Sequence, residues 1–442
     1  MQLTRDKGTG VRRKTGNQLT RYERRHSRWY EIFFLGAPFQ LLAGLCLVLL
    51  VPAFWTWGII FWQQMDAVQI NTIIAIFLAF TVVVLVLRRL ARFSGGKIMA
   101  HIAPIVTSVF FLAFAILFFA RLSYSRPVLL SAYGLSLLWC YAGYFIGWRY
   151  RRLKFALLPM QQFDELVSSP NLELRPLVRP DLEGVRYDGV VADLQSLSMT
   201  PEWERFLAQC ILAQIPVFHV RRITESLTGR VCIDHLSENE VGALLPSPLY
   251  SLSKRFIDIA GVLVVAPFVL PVMVLTALAV RLDSPGPALF TQNRVGLGNR
   301  DFRIYKFRSM SLDAEAKGAR LAAQADDRIT RVGAFIRKTR LDELPQLWNV
   351  LKGDMSLIGP RPEQRVFVDQ FEVEIPFYIY RHVVRPGITG WAQVKQGYAD
   401  DVDSTKIKIQ HDFYYIKHFS LWLDVLIVFK TIKVIFTGGG AR

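Results

Sequence analysis

The chain has 442 residues, enough for about three domains. It carries 53 Lys+Arg against 36 Asp+Glu, a net charge of +17, yet 52% of it is hydrophobic and its mean hydropathy is +0.27. That pairing excludes a disordered chain, a disulfide-stapled secreted domain and an ordinary soluble enzyme. It points to a membrane-embedded part joined to a basic part that meets anionic lipid, phosphates or both. Cys46, Cys140, Cys210 and Cys232 form neither a CxxC pair nor a zinc spacing and read as buried thiols in reducing surroundings.

Residues 1–31 are polar and hold nine cations, Arg12, Arg13, Lys14, Arg21, Arg24, Arg25 and Arg28 among them. No short apolar core follows as in a cleavable signal, so the segment reads as a basic cytoplasmic tail. Four apolar runs come next, Phe33–Trp62, Val68–Leu87, Ile98–Ala120 and Val128–Trp148. Each reaches the roughly 20 residues that cross a hydrocarbon layer of about 30 Å, which predicts a four-helix membrane bundle over 32–150. Cations crowd the tail, the loop after the second run (Arg88, Arg89, Arg92, Lys97) and the segment after the fourth (Arg149, Arg151, Arg152, Lys154). Positive residues stay inside, so both ends of the bundle are expected in the cytoplasm. Trp55, Trp57, Trp62 and Trp148 lie where interfacial aromatics belong, and no run carries an internal charge that would mark an ion path.

Residues 155–250 read as a small soluble α/β, Rossmann-like domain. Strands are expected at Glu173–Val178, Gly189–Asp193 and Pro216–Val220, with a helix over Pro201–Ile215 capped by Thr200. No GxGxxG follows a strand there, so a structural or regulatory role is favoured over nucleotide binding. His219 and His235 read as structural.

A fifth apolar run, 254–281, has Pro267 and Pro271 near its middle and basic residues at both ends: Lys254 and Arg255 before it, Arg281 after it. Proline breaks or kinks a helix. Either this is a fifth span, or a helix-break-helix hairpin dips into the membrane and returns, leaving Lys254, Arg255 and Arg281 to meet head groups and Asp258 to pair with a cation. Polar motifs then follow: DSPGPALFTQNRVG, YKFRSM on a strand Phe302–Phe307, LDELPQLWNVLKGDMSLIGPRPE, and RPGITGWAQV. The GxG at 296–298 reads as a hairpin turn. Phe419–Phe436, with Lys430 and Lys433, has the pattern of an interfacial helix.

These motifs, together with KRFIDI at the head of the fifth run, resemble the bacterial polyprenyl-phosphate hexose-1-phosphate transferases. The likeness runs over 251–442 nearly without gaps. Four spans and an α/β segment ahead of it look like the long form of that family, which includes the undecaprenyl-phosphate glucose- and galactose-phosphate transferases. The resemblance implies an α/β catalytic domain seated on the inner membrane through a re-entrant hairpin. It implies transfer of hexose-1-phosphate, glucose or galactose, from a UDP-hexose to undecaprenyl phosphate, with release of UMP, as the first step of exopolysaccharide, capsule or O-antigen synthesis. It also implies that Asp342 is a nucleophile forming an aspartyl–phosphosugar, and that Glu343 helps to hold Mg²⁺. The family bends its hairpin at a Ser-Pro pair; here the aligned residues are Leu270-Pro271.

The residues support that chemistry on their own terms. An anion that splits a pyrophosphate needs cations to neutralise the developing oxyanions, and Mg²⁺ takes few protein oxygens beside phosphate and water. Asp342 and Glu343 fall at the start of a helix, where the dipole favours their ionised forms. Lys306, Arg308, Arg361 and Arg385 are candidates for the phosphates, Arg361 as a bidentate clamp. Trp391 is a candidate to stack on uracil or a core aromatic, Asp354 a turn or site residue, and His382, His411 and His418 read as structural. Expected partners are a UDP-hexose, undecaprenyl phosphate, inner-membrane lipids and a second copy of the chain in a dimer; nucleic acid is not among them. Two other readings are a membrane glycosyltransferase that releases UDP and a non-catalytic scaffold for polysaccharide assembly.

Overall fold

The computed structural model of the chain describes residues 22, 24–25, 33, 36–91, 93, 98–150, 153–159, 172–194, 199–231, 246–310, 328–396 and 402–437. Most of the basic tail lies outside these residues. So do Arg92, Lys97, Arg151, Arg152, Cys232 and His235, and the side chains of Trp148 and Arg149. Among the described residues five helices are long and apolar enough to cross a membrane: Pro38–Trp57, Ala67–Leu90, Met99–Phe119, Arg126–Gly147 and Pro248–Asp283. The chain is a membrane protein with a soluble α/β part. Its contacts divide it into two units: 1–84 with 105–227, and 85–104 with 228–442.

In the first unit, α1 (Ala37–Leu45) passes through a π turn at Cys46–Leu50 into α2 (Val51–Trp57). Pro52 cannot donate to Val48, and a turn of wider register just ahead absorbs the missing bond. The chain continues with α3 (Ala67–Leu90), α4 (Ile98–Phe119) and α5 (Arg126–Tyr150), of which 85–90 and 98–104 fall in the second unit. Gly44 makes the close packing possible: a Cβ there would stand 2.5 Å from the Phe80 ring and 2.6 Å from the Trp139 indole nitrogen. That indole donates to the Gln40 carbonyl at 3.2 Å, tying α5 to α1.

The α/β part of this unit is a parallel sheet in the order β2-β1-β3-β4, made of β1 (Leu153–Leu157), β2 (Leu172–Pro176), β3 (Gly189–Ala192) and β4 (Val217–His219). Strand β1 was not among the expected strands. Alternate residues feed two covers, as a parallel sheet requires. Ala156, Val190 and Ala192 pack under Phe206, Leu207 and Cys210 of α6 (Pro201–Leu212). Phe155, Leu157 and Val191 pack with Ile223 of α7 (Val220–Thr228). Thr200 precedes α6 in extended conformation without a side-chain cap bond; Pro201 at the first position does the work expected of it.

The second unit opens on α8 (Pro248–Asp283), a single helix of 36 residues. The expected break is not a break in secondary structure. Each proline removes one backbone bond, and the helix continues through both Pro267 and Pro271. Near its foot Lys254 donates to Asp424 at 2.5 Å, and Asp258 accepts from the Ser356 hydroxyl at 2.7 Å and the Leu357 amide at 3.2 Å. Arg255 donates to the Val350 and Leu351 carbonyls. Lys254 and Arg255 therefore turn inward, because the surrounding fold supplies them with close acceptors.

Strands β5 (Leu289–Val295) and β6 (Asp301–Phe307) form an antiparallel hairpin whose turn uses Gly298 at φ 65°. After it come α9 (Arg331–Lys338), α10 (Gln346–Lys352) and β7 (Ser356–Ile358), then α11 (Arg365–Glu374) and β8 (Gly387–Thr389). Helices α12 (Trp391–Lys395), α13 (Val402–Lys417) and α14 (Leu421–Thr437) close the chain. Strands β7 and β8 are parallel, and glycines let their backbones nest. A Cβ on Gly387 would fall 2.0 Å from the Gly359 nitrogen, and one on Gly390 2.2 Å from the Gly359 oxygen. The glycines of the GPRP and RPGITG motifs are thus requirements of strand contact.

Candidate active site

The LDEL sequence builds its site by spacing. Leu341 and Leu344 pack beside a core of Val280, Phe307 and Ile336, which leaves Asp342 and Glu343 on the opposite side of a 3₁₀ turn at Leu341–Glu343. Arg340 enters the turn in left-handed conformation, φ 59°. The acids lie ahead of α10 in this turn, outside the helix where they were expected.

Three cations converge on Glu343. Arg361 donates to its Oε1 at 2.9 Å, Arg340 approaches it at 3.5 Å and Lys306 at 3.9 Å. Burial by itself would raise the Glu343 carboxyl; Arg361, Lys306 and Arg340 outweigh it and hold the group down at about 2. Asp342 goes the other way. Burial first, and the Glu343 anion second, push it up to about 6 against the pull of the same cations. Lys306 is brought down to about 8 by burial and then by Arg361. The pair titrates in opposite directions, a pattern of acidic pairs with divided roles. The Oδ1 of Asp342 is buried with no hydrogen-bond partner.

The other two sequence candidates stand elsewhere. Arg308 donates to the Pro285 carbonyl at 2.9 Å and the Ser284 carbonyl at 2.7 Å, clamping the exit of α8. Arg385 donates from Nε to the Gly353 carbonyl at 3.1 Å. Trp391 is fully buried, stacked on Tyr414 at 5.5 Å, and so has no face for a uracil. Asp354 pairs with Lys352 at 3.2 Å in its turn, and His411 meets the Gly229 carbonyl at 2.8 Å.

Sequence reasoning passed over Arg340, although it adjoins the acid pair, and Asn349. The buried Asn349 amide donates to the Arg303 carbonyl at 2.7 Å and accepts from the Tyr305 amide at 3.1 Å. It thereby fixes α10 to the strand that carries Lys306. Two further ion pairs stiffen the Arg361 loop: Glu363 with Lys408 at 2.7 Å, and Arg381 with Asp412 at 2.9 Å.

No group of three or more His, Cys, Asp or Glu side chains gathers for a metal among the described residues. Mg²⁺ keeps most of its shell for phosphate and water. The acid pair fits it on that footing. The unpartnered Asp342 Oδ1 is a ligand-grade oxygen, while Glu343 Oε1 already faces three cations, so phosphate oxygens would have to complete the shell.

Residues 249–438 match the bacterial sugar transferase family. A UDP-N-acetylgalactosamine-undecaprenyl-phosphate N-acetylgalactosaminephosphotransferase of Aeromonas hydrophila is 57% identical over 95% of this chain and 100% of its own length. Two proteins described as UDP-glucose:undecaprenyl-phosphate glucose-1-phosphate transferases are also similar. That of Caulobacter vibrioides is 42% identical over 45% of this chain and 76% of its own length. That of Escherichia coli K12 is 40% identical over 45% of this chain and 45% of its own. The chain belongs to the bacterial sugar transferase family. Within it, it is a phosphoglycosyl transferase of the polyprenyl-phosphate hexose-1-phosphate kind.

Proposed function

We propose that the chain transfers a sugar-1-phosphate from a UDP-sugar to undecaprenyl phosphate, with N-acetylgalactosamine as the sugar in place of the glucose or galactose first expected. The end-to-end likeness to the Aeromonas hydrophila enzyme supports that sugar. The observation that carries the chemistry is the buried, unpartnered Asp342 oxygen beside a Glu343 anion ringed by Arg361, Arg340 and Lys306.

In the first step a carboxylate oxygen of Asp342 attacks the sugar-bearing phosphorus. The bond from that phosphorus to the bridging oxygen breaks, and its electron pair leaves on UMP. In the second step a phosphate oxygen of undecaprenyl phosphate attacks the same phosphorus. The acyl-phosphate bond breaks, and Asp342 returns as a carboxylate. Burial strips water from the Asp342 anion, which makes it the better nucleophile once ionised. Lys306, Arg340 and Arg361 hold the pyrophosphate and neutralise charge on its oxygens. Glu343 keeps those cations in one place and, with Asp342 beside it, would hold Mg²⁺, which when bound adds positive charge at the pyrophosphate. Arg308 and Arg385 shape the backbone around the site.

The domain sits on the cytoplasmic face of the inner membrane, as the positive loops of the four-helix bundle indicate. Helix α8 is its seat and returns to the side it left. Straight, 36 residues would reach about 54 Å, well past a hydrocarbon core of about 30 Å. Both ends also grip one catalytic unit: Asp258 through Ser356, and Asp283 through the Val332 amide at 3.1 Å. Between them Leu263, Val264, Phe268, Leu270 and Val274 are exposed and apolar, around Pro267 and Pro271.

The test is isotope exchange. Without acceptor, labelled UMP should exchange into UDP-N-acetylgalactosamine, and with the donor labelled in its sugar instead, label should stay on the protein after denaturation. Release of UDP, or exchange that requires undecaprenyl phosphate, would sink the two-step reading. Exchange with UDP-glucose alone would correct the sugar.

A further inference from the structure

Arg361 stands between Pro360 and Pro362, so the loop that aims it has no N–H on either flank. The loop is held by its carbonyls instead. Four in succession accept: Pro360 from the Gly387 amide at 2.9 Å, Arg361 from Arg381 Nη2 at 2.9 Å, Pro362 from Arg294 Nη1 at 3.2 Å, and Glu363 from the Val295 amide at 2.9 Å. A residue ahead of proline is confined to extended backbone, and the two proline rings fix φ on either side of it. What is left to set is the plane of the Arg361–Pro362 peptide, and its carbonyl is the one that Arg381 holds.

Arg381 lies on a 3₁₀ turn, Tyr378–Val383, and is itself fixed by two further bonds. Its Nη2 donates both to the Arg361 carbonyl and to Asp412 Oδ2, each at 2.9 Å, and its Nη1 donates to the Tyr378 hydroxyl at 2.8 Å. The guanidinium is planar, so the bonds to Asp412 and Tyr378 turn the remaining N–H onto the carbonyl. Arg381 is 3% exposed and Asp412 1%, so neither reaches a pyrophosphate. Arg361 does: it is partly exposed, and its Nη2 meets Glu343 Oε1 at 2.9 Å. Asp412 alone balances the buried charge of Arg381. The bond to the Arg361 carbonyl adds nothing to that balance; it connects the buried pair to the residue beside Glu343.

We propose that Arg381 is a positioning residue for the transfer, with Asp412 and Tyr378 as its supports. It sets the peptide after Arg361 and so aims the Arg361 guanidinium at the phosphates of the donor. The inference rests on the reading that Arg361 holds the pyrophosphate, and extends it to a residue that touches no substrate.

The test is a cycle of variants in the detergent-solubilised full-length chain. It reads kcat/KM for transfer to undecaprenyl phosphate from UDP-N-acetylgalactosamine (or UDP-glucose, where the parent takes that sugar), with thermal unfolding alongside. Arg381→Met with Asp412→Leu removes a buried ion pair at similar volume, a change that folds often tolerate. An Arg361 guanidinium about 1 Å out of place should then lower kcat/KM about a hundredfold. Arg381→Lys keeps the charge beside Asp412 but not the fork. It should lower kcat/KM about tenfold, and it serves if the apolar pair misfolds. Arg361→Gln alone should cost about a hundredfold. Added to Arg361→Gln, either change at 381 should cost no more than about twofold further, because its target is gone. A change that merely loosened the fold would multiply with the loss at 361. Multiplied losses, or parental turnover in either folded variant at 381, overturn the proposal alone. Arg361→Gln at the parental rate overturns the reading beneath it and the proposal together.

Discussion

Replacing Glu343 by Gln removes one negative charge from the centre of three cations and changes almost nothing in shape. The structure sets the size of the effect. Glu343 is 7% exposed, and its carboxyl is held at about 2 against an ordinary 4.5. That difference corresponds to about 3 kcal/mol in favour of the anion, after the cost of burying it. Without it Arg361, Arg340 and Lys306 repel one another and spread. A displacement of about 1 Å in such a clamp costs roughly a hundredfold in rate.

The pH profile is the sharper readout. In the parent enzyme Asp342 acts as an anion, so UMP exchange should rise as pH passes about 6. Lys306 acts as a cation, so exchange should fall as pH passes about 8. The Glu343 charge raises both groups, Asp342 by repelling its anion and Lys306 by attracting its cation. In Glu343→Gln both limbs should therefore move to lower pH and the bell should shift as a whole. Rates of labelled UMP exchange between pH 4.5 and 9, about half a unit apart, resolve the shift. A bell that stays in place, or moves to higher pH, would refute the assigned coupling even if the rate fell as expected.

Asp342→Asn should abolish exchange, by about a thousandfold or more, while thermal stability at neutral pH holds or rises, since the buried Oδ1 has no hydrogen bond to lose and its raised carboxyl marks an anion that is costly to bury; donor binding and thermal unfolding of the variant check it. Asp258→Ala strips the charged acceptor from the Ser356 hydroxyl and the Leu357 amide and should cost about 3 kcal/mol, read as earlier thermal unfolding with the chemistry intact at low temperature. Gly387→Ala places a methyl 2.0 Å from the Gly359 nitrogen and should give protein that fails to accumulate in membranes, whereas Gly298→Ala at the hairpin turn, with open space around it, should cost only the strain of its positive φ, about 1 kcal/mol. A reporter fused after Gly286 should signal cytoplasm; a periplasmic signal there would turn α8 into a fifth span.

What the sequence made legible follows from what sequence encodes. Apolar runs of about 20 residues announced the membrane helices, and alternation announced β6. The LDEL spacing placed two leucines on a core and two acids opposite it. Direction beyond a strand end was not encoded. Lys306 and Arg308 are two apart and would share a face of a continuing strand, but β6 ends at Phe307 and the chain carries Arg308 to the Ser284 and Pro285 carbonyls. Strand β1 was hidden because its five residues follow a basic run that reads as a cytoplasmic loop. Partners separated by 31 and 45 residues, as in Arg381–Asp412 and Lys408–Glu363, have no local signature.

The foot of α8 shows the same limit with a mechanical consequence. Lys254, Arg255 and Asp258 sit near the start of a membrane helix, and charge alone assigned the two cations to lipid and Asp258 to a cation, which it meets in Lys254 at 4.0 Å. Their nearest acceptors and donors belong to Asp424, the α10 carbonyls and the β7 edge. Asp424 in turn accepts from Tyr250 at 2.6 Å and Tyr415 at 2.9 Å. One buried carboxylate thus joins the membrane helix, the helix before α14 and α14 itself. Breaking a buried, hydrogen-bonded charge is costly, so these elements are held in one arrangement. The turn that carries Asp342 packs on the far end of the same helix, against Val280. One helix thus reaches from the Asp424 junction to the acid turn.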